Sequence, residues 1–409
     1  MFLSAMPLHI LLVSLCMTMI SCARQNRRVE PSILSNDAIQ NVRGHAEEMA
    51  STSWEYGVLM QGLLELEWPV LSVLTPGSIP PPSMLEYGEA ADVINYATQV
   101  VANKSAGTLP LADGHGSTAD PASLGVGVLL ANWTRPNSSD ISFAQAAADQ
   151  LEFLLNVAPR GAHGVISSID SEVQLVADFT YMVPPFIAYY GALKGGKEGN
   201  ALIQDAYNQI NLYHDGLYDA NVSLWRHQAN GTNPDSGHWA TGEPVLKRTL
   251  SIHMVLTYID IVGNAWAAAG MLRVMDTINN ACDAEDFVLE RNNLIHWIYE
   301  VLDGVWKQQG ENGTLYNYID NDLGLSDSSA TALLAAVTYR MAIATGVPLY
   351  IDHANNATTL VFDSIDEDGW LLNTVAQFTL GGHTSSSSAQ TFVLLLQSAY
   401  RDYRASLKV

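Results

Sequence analysis

Cysteine is almost missing from this chain. Of three, Cys16 and Cys22 fall within the first 23 residues, which leaves Cys282 alone. One thiol cannot close an internal disulfide, so the body must be held by packing. Cys282 itself reads as a small buried hydrophobe rather than a nucleophile. Bases are scarce as well. The 19 Lys and Arg against 42 Asp and Glu give a formal charge of −23, which repels phosphate backbones and argues against a nucleic-acid partner. Charged residues of both signs make up only 15% of the chain, while 48% is hydrophobic. That is enough for a large core and too much for wholesale disorder. Long β-alternating runs are absent. So are HExxH, a CxxC pair, a GxSxG elbow and a P-loop, the usual signatures of metal, serine-hydrolase and nucleotide chemistry. No metal or other cofactor is expected.

The N-terminus is the first positive feature. Pro7 to Ile20 is an apolar run of 14 residues, too short to cross a bilayer comfortably. Ser21-Cys22-Ala23 then offers small residues for cleavage, so residues 1–23 read as a signal peptide. No Lys or Arg precedes the run, while Arg24, Arg27 and Arg28 follow it. That order suits an anchor, so membrane contact is expected only if the segment stays uncleaved. Seven N-x-S/T sequons, at Asn103, Asn132, Asn137, Asn221, Asn230, Asn312 and Asn356, favour a secreted, extracellular glycoprotein.

Past the signal, apolar or amphipathic stretches alternate with Gly, Asn, Asp and Pro clusters and no linker. Helices are predicted near Asp37–Leu66, Tyr87–Asn103, Pro121–Asn132, Phe143–Val157, Pro184–Leu193, Ala201–Tyr218, Asn264–Asn279, Phe287–Gln308, Ser328–Thr345, Ala354–Ser364 and Ser388–Ser406. Many are apolar on more than one side, which suits a closed double ring better than a small bundle. A solenoid is the alternative, but no fixed-period repeat is visible. The expectation is all-α, one toroidal domain over residues 24–409, monomeric, with a cleft built by loops at one end.

Candidate chemistry gathers in those loops: Asp113, His115 and Asp120 in LADGHGSTADPASLG, Asp178 in QLVADFTYMVPPF, His214 and Asp215 after Tyr213, and His238-Trp239 opening HWATG. Without ligand spacing, His115, His238 and His383 read as hydrogen-bonding residues. Asp178 is the sharpest position. Leu175-Val176-Ala177 precede it, and Phe179, Tyr181 and Met182 follow. Desolvation there disfavours the ionised carboxylate and moves the group toward a proton-donor role near neutral pH. A helix cap is the alternative, although Asp178 stands six residues ahead of Pro184.

Ala177–Gly191, ADFTYMVPPFIAYYG, resembles the catalytic-loop motif of the unsaturated rhamnogalacturonyl hydrolases, glycoside hydrolase family 105. Other segments agree in order: WEYG at Trp54–Gly57, DPASLGVGVLL from Asp120, WKQQGENGTLYNYIDN from Trp306, DSSATALLAA from Asp327, and SSSAQTFVLLLQSAYRD from Ser386. The likeness spans nearly the whole mature chain and is closest to secreted fungal members. It implies an (α/α)6 barrel, a six-hairpin toroid. It also implies a glycosidase whose substrate is an oligosaccharide ending in a 4,5-unsaturated uronic acid, such as a lyase-generated pectin fragment. In that reading Asp178 protonates the C4=C5 bond and Asp120 supports and orients it. Tyr181, Met182, Trp239 and Trp266 line the sugar site, and His214 and His238 hydrogen-bond the substrate.

Three positions differ from the family pattern: Val176, two residues before the acid; Thr241, where an Arg would suit the uronate carboxylate; and Ser388-Ala389 in place of a late Glu-Gly. Residues 243–262, EPVLKRTLSIHMVLTYIDIV, also interrupt what would otherwise run HWATGNAWAAAG. This stretch reads as a retained intron translated in frame, or as a genuine extra hairpin or helix. Two further functional readings stay open. One is another (α/α)6 glycosidase using two carboxylates; the other is a catalytically impaired secreted carbohydrate-binding protein.

Overall fold

The computed structural model describes residues 30–86, 88–137, 139–232, 234–242, 261–321, 324–375, 379–380 and 383–408. The expected signal peptide and most of the interrupting stretch, 243–260, lie outside the described residues. From Ser32 onward the chain forms one compact unit.

Among the described residues, twelve helices of ten residues or more alternate between an outer and an inner layer. They are α1 (Asn36–Met49), α2 (Ser53–Glu67), α3 (Ala91–Asn103), α4 (Gly125–Thr134), α5 (Ser142–Glu152) and α6 (Pro184–Lys194). The second half adds α7 (Gly196–Leu217), α8 (Asn264–Asn280), α9 (Val288–Trp306), α10 (Ser328–Thr345), α11 (Ile351–Asp363) and α12 (Ser387–Ser406). The even-numbered helices are the inner ones. Nearly every residue of α8, α10 and α12 is buried, whereas α1 buries only Val42 and Ala46. This difference follows from composition: α10 reads SSATALLAAVTYRMAIAT, apolar or small all round, and α1 reads NDAIQNVRGHAEEM, apolar along one stripe. Neighbouring inner helices touch in the order α2, α4, α6, α8, α10, α12, and α12 returns to α2. The ring is therefore closed, which is the expected (α/α)6 toroid.

The predicted helix Asp37–Leu66 is two helices. The chain breaks at Ala50–Thr52, where Glu55 accepts hydrogen bonds from the backbone N–H groups of Ser51 and Thr52. The Thr52-x-x-Glu55 spacing is a helix-start signature that the apolar periodicity masks. Cys282, expected to be buried, is exposed just past the end of α8.

The inner helices run in a common direction. Trp54 near the start of α2 meets Trp266 near the start of α8, and Trp266 meets Phe392 in the second turn of α12. Toward their other ends, Glu65 of α2 accepts from Arg273 of α8 at 2.6 Å and from Arg340 of α10 at 3.3 Å, all three side chains being buried. Removing one member would strand a buried charge, typically a loss of 3–5 kcal/mol. Six helix N-termini thus face one end of the barrel. Among the described residues the short strands add four two-stranded ladders, of which 174–176 with 228–230 and 241–242 with 261–262 matter below.

Candidate active site

The segments that carry Asp120, Asp178 and His238-Trp239 each lead into the N-terminus of an inner helix, which puts them at one end. Asp120 opens a 3-10 turn (Asp120–Leu124) that runs into α4, and Asp178 immediately precedes a single helical turn (Phe179–Met182) that runs into α6. Asp178 thus occupies the cap position of that turn, which its distance from Pro184 had argued against, yet its side chain makes no capping bond to the turn.

Backbone bonds hold the two acids in register. Thr118 N–H donates to Ser168 O at 3.0 Å, and the Ser168 hydroxyl accepts from Val176 N–H at 2.9 Å, two residues before Asp178. The Tyr213 hydroxyl lies 2.8 Å from Ser168 Oγ and donates to Ile166 O, while its ring stacks on Phe179 at 4.2 Å. From the inner wall, α8 presses on the same turn. A Cβ at Gly270 would stand 2.1 Å from the Thr180 carbonyl oxygen, so only glycine lets the backbones approach this closely.

The electrostatics follow from this packing. Burial drives the Asp178 carboxyl well above the usual carboxylate range, and the nearby Asp120 charge adds to the rise. Burial also pushes Asp120 up to about 6, against the hydrogen bond it accepts from Ser117 Oγ at 2.7 Å and the charge of His115. The two acids predicted from the sequence are thus brought together, and Asp178 holds its proton more tightly.

Two members of the group were not foreseen. Strand 174–176 pairs with strand 228–230, which sets His227 opposite Ala177, the residue before Asp178, and Ala177 N–H donates to His227 O at 3.1 Å. The His227 ring is 1% exposed, its Nδ1 lies 3.3 Å from Asp235 Oδ2, and its Nε2 is buried with no protein partner. Burial lowers its pKa, so the ring stays neutral near pH 7. Asp235 is the second; its Oδ2 also accepts from Trp239 Nε1 at 3.0 Å. Trp239 then packs against Tyr318 at 4.1 Å and against His227 at 5.8 Å. Asn264, at the start of α8, donates its side-chain amide to the carbonyls of Trp225 and Trp239, fixing both segments to the inner ring.

The remaining predicted contacts divide. Trp266 belongs to the group, standing 4.5 Å from Tyr181 and 6.3 Å from Trp54. Tyr181 and Met182 are core residues rather than an open platform, 0% and 2% exposed, and Arg273 sits over the Tyr181 ring. His214 is elsewhere. It lies within α7, stacked between Tyr218 and Trp297 with Nε2 3.2 Å from Glu300, because its helix face turns toward α9 and the outer wall. His238 points away from Trp239, as successive residues of an extended segment do, and its Nδ1 lies 2.6 Å from Asp320. A small cavity beside Arg273, lined by Gln61, Ser72 and Thr277, lies two turns along α8 from Trp266 and is separate from this group.

A family model described as Glycosyl Hydrolase Family 88 matches residues 83–392, a span that contains both acids, His227, Asp235, Trp239 and Trp266. The chain belongs to that family. As a family 88 member it is a glycoside hydrolase. Solved structures share its fold. A possible member of the GH105 family from Klebsiella pneumoniae is 15% identical, with 98% of this chain and 100% of that one covered at a TM-score of 0.67. The unsaturated glucuronyl hydrolase of Bacillus sp. GL1 is also 15% identical, covering 90% and 96% at 0.59. A family 88 glycosyl hydrolase of Bacteroides vulgatus is 12% identical, covering 90% and 98% at 0.60. Among curated proteins, none matches the chain.

Proposed function

We propose that this family 88 hydrolase removes a 4,5-unsaturated uronate from the non-reducing end of lyase-generated pectin or rhamnogalacturonan fragments, acting outside the cell. The observation that carries the reading is the Asp178 carboxyl, kept in its acid form by burial beside a second acid at the mouth of the inner ring. The solved relatives include proteins named for unsaturated glucuronyl substrates, and the apolar N-terminal run with its sequons supports export.

The chemistry uses one proton twice. The C4=C5 bond is an enol ether, so Asp178 gives its proton to C4 and positive charge spreads over C5 and the ring oxygen. Water adds at C5, and its proton returns to the Asp178 carboxylate. The resulting hemiketal breaks its C5–O bond, leaving a ketone and a hemiacetal at C1, which releases the next sugar. This differs from hydrolysis at the anomeric carbon by two flanking carboxylates. The Asp120 charge beside it helps keep Asp178 protonated.

Two features suit an anionic, hydroxyl-rich ligand despite the −23 charge. Inner-helix N-termini face the site and present partial positive charge. Trp266 Nε1 and Ser385 Oγ, at or next to those N-termini, and His227 Nε2 are buried without a protein partner. Buried polar atoms normally find one, and sugar hydroxyls would supply it. The test is the loss of ultraviolet absorbance when unsaturated rhamnogalacturonan and glycosaminoglycan disaccharides are offered separately. Asp178→Asn should lose at least about 100-fold in kcat. Full activity in that variant refutes the assignment, and preference for the glycosaminoglycan product refutes the pectin specificity.

A further inference from the structure

The loop that carries Trp239 holds a carboxylate with an unusual set of donors. Asp235 Oδ2 receives both the His227 Nδ1 contact at 3.3 Å and the Trp239 Nε1–H at 3.0 Å, while its Oδ1 receives Gly237 N–H at 2.9 Å. The backbone ties the same residues. His227 N–H donates to Gly237 O at 2.8 Å, and Gln228 and Asp235 exchange N–H···O bonds at 2.8 and 3.3 Å. The turn leaves no slack: a Cβ on Gly237 would stand 2.8 Å from Tyr318 Cε1 and 3.1 Å from both Asp235 Oδ1 and Trp239 Nε1.

An ionised carboxylate accepts hydrogen bonds and donates none, so an imidazole nitrogen facing Asp235 must carry the hydrogen. The other nitrogen, buried and unpartnered, then has only a lone pair to offer. We propose that Asp235 is a positioning residue: it holds His227 as the Nδ1–H tautomer, so that Nε2 accepts a hydrogen bond from a substrate hydroxyl, and it pins the Trp239 indole beside that acceptor. This deepens the hydrolase reading above and rests on it for the identity of the ligand.

In Asp235→Asn the amide has one acceptor and one donor end for three donors. If the NH2 end faces His227, the ring must move its hydrogen to Nε2, which turns the acceptor into a donor. The test has two arms. In the first, nitrogen-15 histidine resonances of the intact protein, assigned through His227→Gln, should show His227 protonated on Nδ1 in the parent and on Nε2, or mixed, in Asp235→Asn. Trp239→Phe should leave that tautomer unchanged. In the second, Asp235→Asn should lower kcat/KM on the unsaturated disaccharide about 10- to 100-fold, as expected for loss of one charge-assisted hydrogen bond. An unchanged tautomer in Asp235→Asn overturns the proposal, and so does a changed tautomer with unchanged kcat/KM. If the parent turns over no unsaturated disaccharide, the functional reading fails and the tautomer arm alone decides this one.

Discussion

Replacing Asp120 by Asn should stabilise the protein at neutral pH while damaging its activity. Folding raises the Asp120 pKa from 3.8 to about 6. Below pH 4 both folded and unfolded chains hold the proton, and the group contributes no difference. Between pH 4 and 6 the unfolded chain releases the proton and the folded chain keeps it. Unfolding therefore gains about 1.4 kcal/mol per pH unit over about two units, up to about 3 kcal/mol, and the loss is constant above pH 6. Asp120 keeps part of its surface in water, which reduces this to about 1–3 kcal/mol. Asn has no charge to bury, and its carbonyl still accepts from Ser117 Oγ, now 2.7 Å from the carboxylate. Urea unfolding followed by tryptophan fluorescence should give parent and variant equal stability at pH 4 and a more stable variant at pH 7. A second consequence falls on catalysis. Without the Asp120 charge, Asp178 loses one cause of its raised pKa, so the alkaline limb of kcat/KM should move to lower pH. A variant less stable than the parent at pH 7, or an alkaline limb that does not move, refutes the coupling of the two acids.

Gly270→Ala places a methyl group against the Thr180 carbonyl; it should cost about 1–3 kcal/mol by overpacking and lower kcat by displacing Asp178, read as a drop in Tm together with slower turnover. Of the seven sequons, Asn132 should carry no glycan when the protein is made by a glycosylating host, because its Oδ1 is buried within α4, whereas Asn103, Asn221, Asn230, Asn312 and Asn356 are exposed; peptide mass spectrometry reads the occupancy of each.

Much of the architecture was legible because burial patterns are local. The continuous small or apolar character of residues 328–342 announces a helix buried on most faces, and Asn264 and Ser328 open α8 and α10 where the sequence placed them. Asp178 was legible for the same reason, since its apolar neighbours in the chain are also its neighbours in space. His227 and Asp235 were not. The strand pair that sets His227 beside Ala177 joins residues 52 to 56 apart, and no spacing rule encodes it. His214 misled in the opposite sense: it stands among the loop candidates although the predicted helix Ala201–Tyr218 contains it, and that helix, which ends at Leu217, carries the ring to the outer wall. The aromatic residues after Asp178 pack inward, because the single turn there points Tyr181 at Trp266 rather than at solvent.

The two hydrogen bonds that join Trp239 O to Asn264 N–H and Ala240 O to Ala265 N–H, at 2.9 and 3.2 Å, span 25 residues in this chain. Were residues 242–262 excised, each acceptor and donor would be four positions apart, the spacing of an α-helix. The ends of that detour are already joined as though α8 began a turn earlier, so chains of either length would close the same barrel. The junction at Thr241 and Gly263 is therefore the place where a change of chain length is expected to leave the ring closed.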